Sequence, residues 1–203
     1  MNAILEVSAM SATSSVFPKQ DQCVYTSQYC EENVWKLCDH VKRHYPEELK
    51  TFYVLFISNQ EKKIPLWHQK SSKREDRLVI WDYHVVLMHQ CEKGTLIYDL
   101  DTELPFPCLL DKYITFAIRD DRLLKPDFRR LFRVVPGDVY LNTFASDRSH
   151  MLKEDGSWMA TPPSYPCIQT QAYQNNLADF ISMKENGGVG SVLTPSQLLQ
   201  IFS

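Results

Sequence analysis

The chain has 203 residues, 44% of them hydrophobic, 12% aromatic and 23% charged. That length and apolar content build one hydrophobic core and exclude a disordered or low-complexity protein. The net charge of −3 lacks the basic excess of a nucleic-acid or anionic-membrane binder, and no apolar run reaches the roughly 18–20 residues that span a bilayer.

Residues 1–20 have no basic start, and Glu6 interrupts their apolar stretch. They read as a flexible Ser-rich lead-in, not a signal peptide. Residues 21–203 read as a single domain, ordered from about Cys23. The six cysteines are scattered and form no CxxC. This pattern predicts reduced thiols in an intracellular protein, most of them small buried apolar groups.

Cys30–His44 predicts a helix. Val34, Leu37, Cys38 and Val41 recur at helical spacing, with Cys30 one turn before Val34. Glu31 and Glu32 fall in the first turn and Lys42, Arg43 and His44 in the last, both suited to the helix dipole. Ser27 is the candidate cap, and Pro46 ends the segment. Residues 51–58 (TFYVLFIS) and 64–67 predict strands, and 69–77 a charged loop. Residues 78–89 (LVIWDYHVVLMH) predict the strongest strand. A turn at Cys91-Glu92-Lys93-Gly94 returns it through residues 95–100, giving an antiparallel hairpin.

Leu109, Leu110, Tyr113, Ile114, Ala117 and Ile118 give an amphipathic helix. A short helix is expected from Pro126, and a short strand over 132–135, stopped by Pro136-Gly137. Residues 153–166 form a long loop, and loops of that length are often functional. Asn176 is the candidate cap of a short helix through Leu177, Phe180 and Ile181, and Thr194-Pro195 opens a last one reaching Phe202. The fold class is α+β, with helices packed on a mostly antiparallel sheet.

Chemistry concentrates at Cys30 and His84. A thiol at a helix N-terminus faces free N–H groups and the positive dipole end, which favour thiolate. The plainer reading makes Cys30 a filler of the core stripe, and the flanking Glu31 and Glu32 disfavour thiolate. His84 is a polar aromatic in mid-strand. Alternation places Asp82 and His84 on one face, and Asp99 and Asp101 share a face of the returning strand. A two-residue loop at Glu92-Lys93 sets His84 opposite Asp101 and diagonal to Asp99. A loop at Cys91-Glu92 sets Asp99 directly opposite. Either register lets a carboxylate brace the imidazole, and the residues alone do not choose between the two. A braced imidazole beside a thiol is a nucleophilic constellation.

His40 and His44 lie four apart at a helix end where histidine is favoured anyway, and no HExxH accompanies them. No metal ligand set or phosphate cradle is indicated, and no cofactor is expected.

Taken together, the words Tyr29-Cys30-Glu31-Glu32-Asn33, Trp81-Asp82-Tyr83-His84-Val85, Tyr98-Asp99-Leu100-Asp101 and Leu104-Pro105-Phe106-Pro107-Cys108 resemble the WDYHV family of eukaryotic N-terminal glutamine amidohydrolases. The segments 128–130, 145–151 (ASDRSHM), 165–168 and 179–183 are similar to it as well. The resemblance implies a papain/transglutaminase-like cysteine hydrolase acting as a monomer. It implies the triad Cys30, His84 and Asp99, and so selects Asp99 over Asp101. It further implies deamidation of an N-terminal glutamine side chain to glutamate, with release of ammonia, feeding an N-degron pathway in cytosol and nucleus. The partner is then the N-terminal segment of a protein substrate. A free α-amine needs a receptor, for which Trp81, Asp82, Asp147, Ser149 and His150 are candidates. The rival readings are a peptidase or transglutaminase-type acyl transferase on the same site, and a non-catalytic module that captures N-termini.

Overall fold

The computed structural model describes residues 16–203. Its elements in chain order are α1 (Cys30–His44), β1 (Phe52–Ser58), β2 (Ile64–Leu66), β3 (Val79–Trp81), β4 (His84–Cys91), β5 (Gly94–Tyr98), β6 (Cys108–Leu109), α2 (Leu110–Tyr113), β7 (Leu131–Pro136), α3 (Gly137–Thr143), α4 (Leu177–Ile181), β8 (Ser191–Leu193) and α5 (Pro195–Phe202). Six strands form one antiparallel sheet in the order β6-β5-β4-β1-β7-β8, and β2 pairs with β3 apart from it. The molecule is α+β. No helix of the described residues is long and apolar enough to cross a membrane.

Alternation along β1 explains the layering. Val54 and Phe56 pack with Val34, Leu37 and Val41 of α1 and with Tyr140 and Phe180 of α3 and α4. Leu55 and Ile57 pack on the opposite face with Tyr113 of α2 and Leu198 and Phe202 of α5. Both faces of the sheet are therefore covered, which is why its central strands are almost continuously apolar.

The strand expected over residues 78–89 is two strands. Asp82 turns its Oδ1 onto the Tyr83 N–H at 2.9 Å, and its carbonyl accepts from Ser58 Oγ at 3.1 Å. This local bond competes with the sheet ladder. β3 leaves to pair with β2, and β4 begins at His84. Asp82 and His84 consequently do not share a face: Asp82 is exposed and His84 fully buried.

The lead-in also differs from expectation. Phe17 is buried, edge-on to Phe52 and Tyr98 with centroids 6.0 and 4.7 Å away. Residues 16–20 of the expected lead-in are thus packed on the domain, and residues 1–15 lie outside the described residues. Ser27 does not cap α1. Tyr29 holds the cap position without a side-chain bond, and Asn33 clamps Thr26 through two 2.8 Å bonds instead. Asn176 stands at the start of α4 but bridges Ala145 N and Thr143 O. Thr194 does cap α5, in a full capping box with Gln197. The helix predicted near residue 110 runs as α2 and then a π turn over Ile114–Ile118. α3 and β8 were not foreseen. At Gly137 an added Cβ would meet the Phe52 carbonyl at 3.2 Å, so the small residue read as a stop instead lets α3 approach β1. All six cysteines are free, but only Cys38 and Cys108 are buried.

Candidate active site

Cys30 is the first residue of α1 and is half-buried. With no side-chain cap on Tyr29, the first-turn N–H groups of the helix remain for other acceptors. Burial pushes the Cys30 thiol well up, and the charges of Glu31 and Asp101 add to this, while the Val85 N–H on β4 opposes it. Both this shift and the contact of Sγ with Glu31 Oε2 at 3.7 Å favour the neutral thiol, opposite to what helix position alone suggests.

His84 opens β4 one residue after the break. The β4–β5 register runs from Leu87 opposite Tyr98 to Cys91 opposite Gly94, so the loop is Glu92-Lys93. The ladder ends at Tyr98, and the diagonal carboxylate, not the opposite one, reaches the ring: His84 Nε2 lies 3.0 Å from Asp99 Oδ1. Asp99 Oδ1 also accepts from the Asp101 N–H at 2.9 Å, and Oδ2 from the Tyr113 hydroxyl at 2.9 Å. With Nε2–H donating to the carboxylate, Nδ1 carries a lone pair, and no group of the described residues is bonded to it. The Trp81 ring stacks on the imidazole at 5.4 Å and is itself fixed by Nε1–H donation to Gln69 Oε1 at 3.1 Å.

The charges follow from this geometry. Burial pulls the His84 imidazole down, but Asp99, by charge and hydrogen bond, and then Asp101 and Glu31 outweigh it, so its pKa is raised. Burial pushes Asp99 up, but His84, the Asp101 N–H and the Tyr113 hydroxyl hold it below the usual carboxylate range.

Cys30 and His84 line one cavity of about 300 Å³, and Trp81, Asp82, Asp101 and His150 share its wall. That is the lower end of ligand-pocket sizes. A larger groove of about 980 Å³ near Arg119, Arg129 and Pro195 has neither cysteine nor histidine in its lining. Three of the five expected amine-binding candidates, Trp81, Asp82 and His150, thus border the cavity. Asp147 and Ser149 do not. Asp147 Oδ1 accepts from the Ser149 N–H at 2.9 Å and from Asn175 Nδ2 at 2.6 Å. These bonds close the turn that carries His150.

Several polar groups here had no sequence signal. Glu31 is fully enclosed, accepts from the Tyr83 hydroxyl at 3.0 Å, and is pushed up to about 7 by burial against its own N–H and Tyr83. Glu32 forms a buried two-point pair with Arg148, both bonds 2.8 Å. Gln20 Nε2 donates to the carbonyls of Asp99 and Leu100 at 3.0 and 3.3 Å. His84, Asp99 and Asp101 are close enough to share a cation. One would displace the bonds they already make to each other and to Tyr113 and Tyr25.

A thiol at a helix start that shares a cavity with an imidazole whose other ring nitrogen is held by a buried carboxylate is an arrangement suited to acyl transfer; the thiol itself donates to Glu31 Oε2 at 3.7 Å. The sequence matches the family model described as N-terminal glutamine amidase over residues 25–202. It is 54% identical to the protein N-terminal glutamine amidohydrolase of Danio rerio over 200 residues, covering 97% of this chain and 98% of that one. The proteins of the same name from Drosophila mojavensis and Drosophila melanogaster are 50% and 49% identical, each over 94% of this chain and over 94% and 93% of their own length. The chain belongs to the N-terminal glutamine amidase family.

Proposed function

We propose that this chain hydrolyses the side-chain amide of an N-terminal glutamine to glutamate and ammonia, with Cys30 as nucleophile, His84 as general acid and base, and Asp99 as the group that orients His84. The supporting observation is the bare Nδ1 of His84 in the wall of the cavity that also holds Cys30, while Nε2 is held by Asp99.

With burial favouring the neutral thiol, Nδ1 takes its proton as Sγ attacks the amide carbon. The raised pKa of His84 favours the imidazolium that results. The tetrahedral oxyanion faces the first N–H groups of α1. Imidazolium then protonates the departing nitrogen, the C–N bond breaks, and ammonia leaves a thioester on Cys30. The same Nδ1 deprotonates a water that attacks the thioester, giving glutamate and regenerating the thiol. No redox step occurs, and no co-reactant beyond water enters. Trp81, Asp82 and His150 form walls against which the substrate's first residue lies. The product, a chain beginning with glutamate, suits arginylation in an N-degron pathway of cytosol and nucleus, and the enzyme acts as a monomer.

A Gln-initiated peptide incubated with the protein should release ammonia and gain about one dalton, the difference between amide and acid, with no peptide-bond cleavage and no cross-linking. Cys30→Ala should abolish release while retaining the circular dichroism and melting of the wild type. Full turnover by a well-folded Cys30→Ala protein would end the proposal. Peptide cleavage or amine incorporation in its place would transfer the same residues to a peptidase or transglutaminase reaction.

A further inference from the structure

Three carboxylates surround the thiol besides Asp99, and they are not equivalent. Glu31 is wholly enclosed and already accepts from Tyr83. Asp82 is exposed, with one oxygen on the Tyr83 N–H. Asp101 is 7% exposed yet lines the cavity. Its carboxylate accepts a single hydrogen bond among the described residues, from the Tyr25 hydroxyl to Oδ1 at 2.6 Å. No ion pair of the described residues includes it. Lys70 turns Nζ to the Leu100 carbonyl at 3.1 Å. A carboxylate oxygen of Asp101 lies within 4.8 Å of a His84 ring nitrogen and of Asp99. Asp101 thus feels the positive charge of His84 and Lys70 without an ion pair of its own, and a buried carboxylate so placed is unfavourable unless a function or a ligand adds compensation.

We propose that Asp101 is the receptor for the substrate's free α-ammonium, and so the residue that restricts this site to chain ends. The proposal rests on the deamidase reading above and names its specificity element. In an extended glutamine the α-nitrogen stands about 5 Å from the side-chain amide carbon, by ordinary bond lengths. With that carbon at Cys30, the ammonium falls within the small cavity, where Asp101 offers its second oxygen. An internal glutamine presents an uncharged amide at this place and carries preceding chain that the wall at Asp101 excludes. The protein carboxylate and the substrate cation compensate each other's burial, which gives a charge-assisted bond in a low-dielectric pocket. Burial pushes Asp101 up and the Asp99 charge adds to it, with His84, the Tyr25 bond and the Lys70 charge opposing; an arriving ammonium acts in the same direction as those three. Tyr25 fixes the carboxylate and is a positioning residue.

The test compares two peptides differing only in the amine: one beginning with glutamine, and one capped with a glutaramoyl group, which keeps the side-chain amide and lacks the α-nitrogen. Wild type should prefer the amine substrate in kcat/KM by about tenfold to a hundredfold, the range of one charge-assisted bond. Asp101→Asn keeps the shape and an acceptor for Tyr25 but removes the charge. It should raise KM for the amine substrate and bring the two substrates close to parity, and Asp101→Glu should restore part of the preference. Should Asp101→Asn not fold, Asp101→Glu and Tyr25→Phe carry the comparison, each with a reduced preference. An undiminished preference in folded Asp101→Asn, or its loss in Asp82→Asn instead, overturns the assignment. Absence of ammonia release from either substrate by wild type would instead sink the deamidase reading itself, so the two failures are distinct.

Discussion

His84 joins backbone geometry to proton chemistry at a single residue. Its Nε2 is held by Asp99, which is itself held by Tyr113 and the Asp101 N–H. In the proposed reaction the neutral ring takes the Cys30 proton, so kcat/KM should rise with pH through the imidazole's raised pKa, above the ordinary value of about 6.5. Asp99→Asn removes the largest upward influence on that ring, leaving Asp101 and Glu31 as the smaller ones. The acid limb of the profile should therefore move to lower pH, while maximal kcat falls by at least about tenfold, because orientation of the ring is weakened. Rate-against-pH curves for the two proteins settle the point, and an unmoved limb would remove Asp99 from this role. The sequence already held much of this residue-level picture. Hairpin parity brought both acids within reach of His84. It did not separate them, because the choice depends on the ladder ending at Tyr98, where pairing rules cease and loop geometry takes over. Glu31, Tyr83 and Tyr113 were illegible for a related reason: their partners come from distant elements, and no local spacing encodes that.

Elements are tied at the site by ionic contact as well as by apolar packing. The start of α1 is fastened to the segment after α3 through the buried Glu32–Arg148 pair, and Arg148 also donates to the Pro163 carbonyl at 3.2 Å. A pair sealed from solvent contributes little net stability when intact but is expensive to break on one side. Arg148→Met should thus lower stability by about 3–5 kcal/mol, with the double change Glu32→Gln, Arg148→Met milder than the single one. Urea unfolding of the four proteins gives the cycle, and additive effects would show that the two side chains do not interact. The periodicity of Cys30–His44 announced α1 itself, since its stripe is repeated over four turns. The break between β3 and β4 was not announced, because residues 78–81 and 84–89 are each strand-like, and Asp82 divides them by accepting from the Tyr83 N–H and from Ser58 Oγ. α3 and β8 are short, and tertiary packing decides such segments.

At the scale of the whole molecule, the segment from Phe17 to Gln20 is folded back onto the hairpin that carries Asp99. Phe17 enters the core between Phe52 and Tyr98, and three residues later Gln20 reaches the carbonyls of Asp99 and Leu100. Composition hid this: a Ser-rich stretch with one aromatic carries no periodicity, and its two anchoring residues lie outside any regular element that pattern can reveal. The two contacts have separable consequences. Phe17→Ala opens a void in the core and should cost about 3–5 kcal/mol of stability, as large aromatic truncations do. Gln20→Ala removes a half-buried amide from a loop and should cost about 1 kcal/mol or less. Its effect belongs to kcat instead, because the loop carrying Asp99 loses the bonds that fix its height against His84. A several-fold fall in kcat is expected with KM for a Gln-initiated peptide nearly unchanged, and Gln20→Glu should not restore it, since a carboxylate cannot donate to carbonyls. Melting curves and steady-state rates on the same preparations distinguish the two substitutions. If Gln20→Ala shifts the melting temperature as far as Phe17→Ala while kcat holds, the strap serves the core alone and the acid loop is fixed by its own turn.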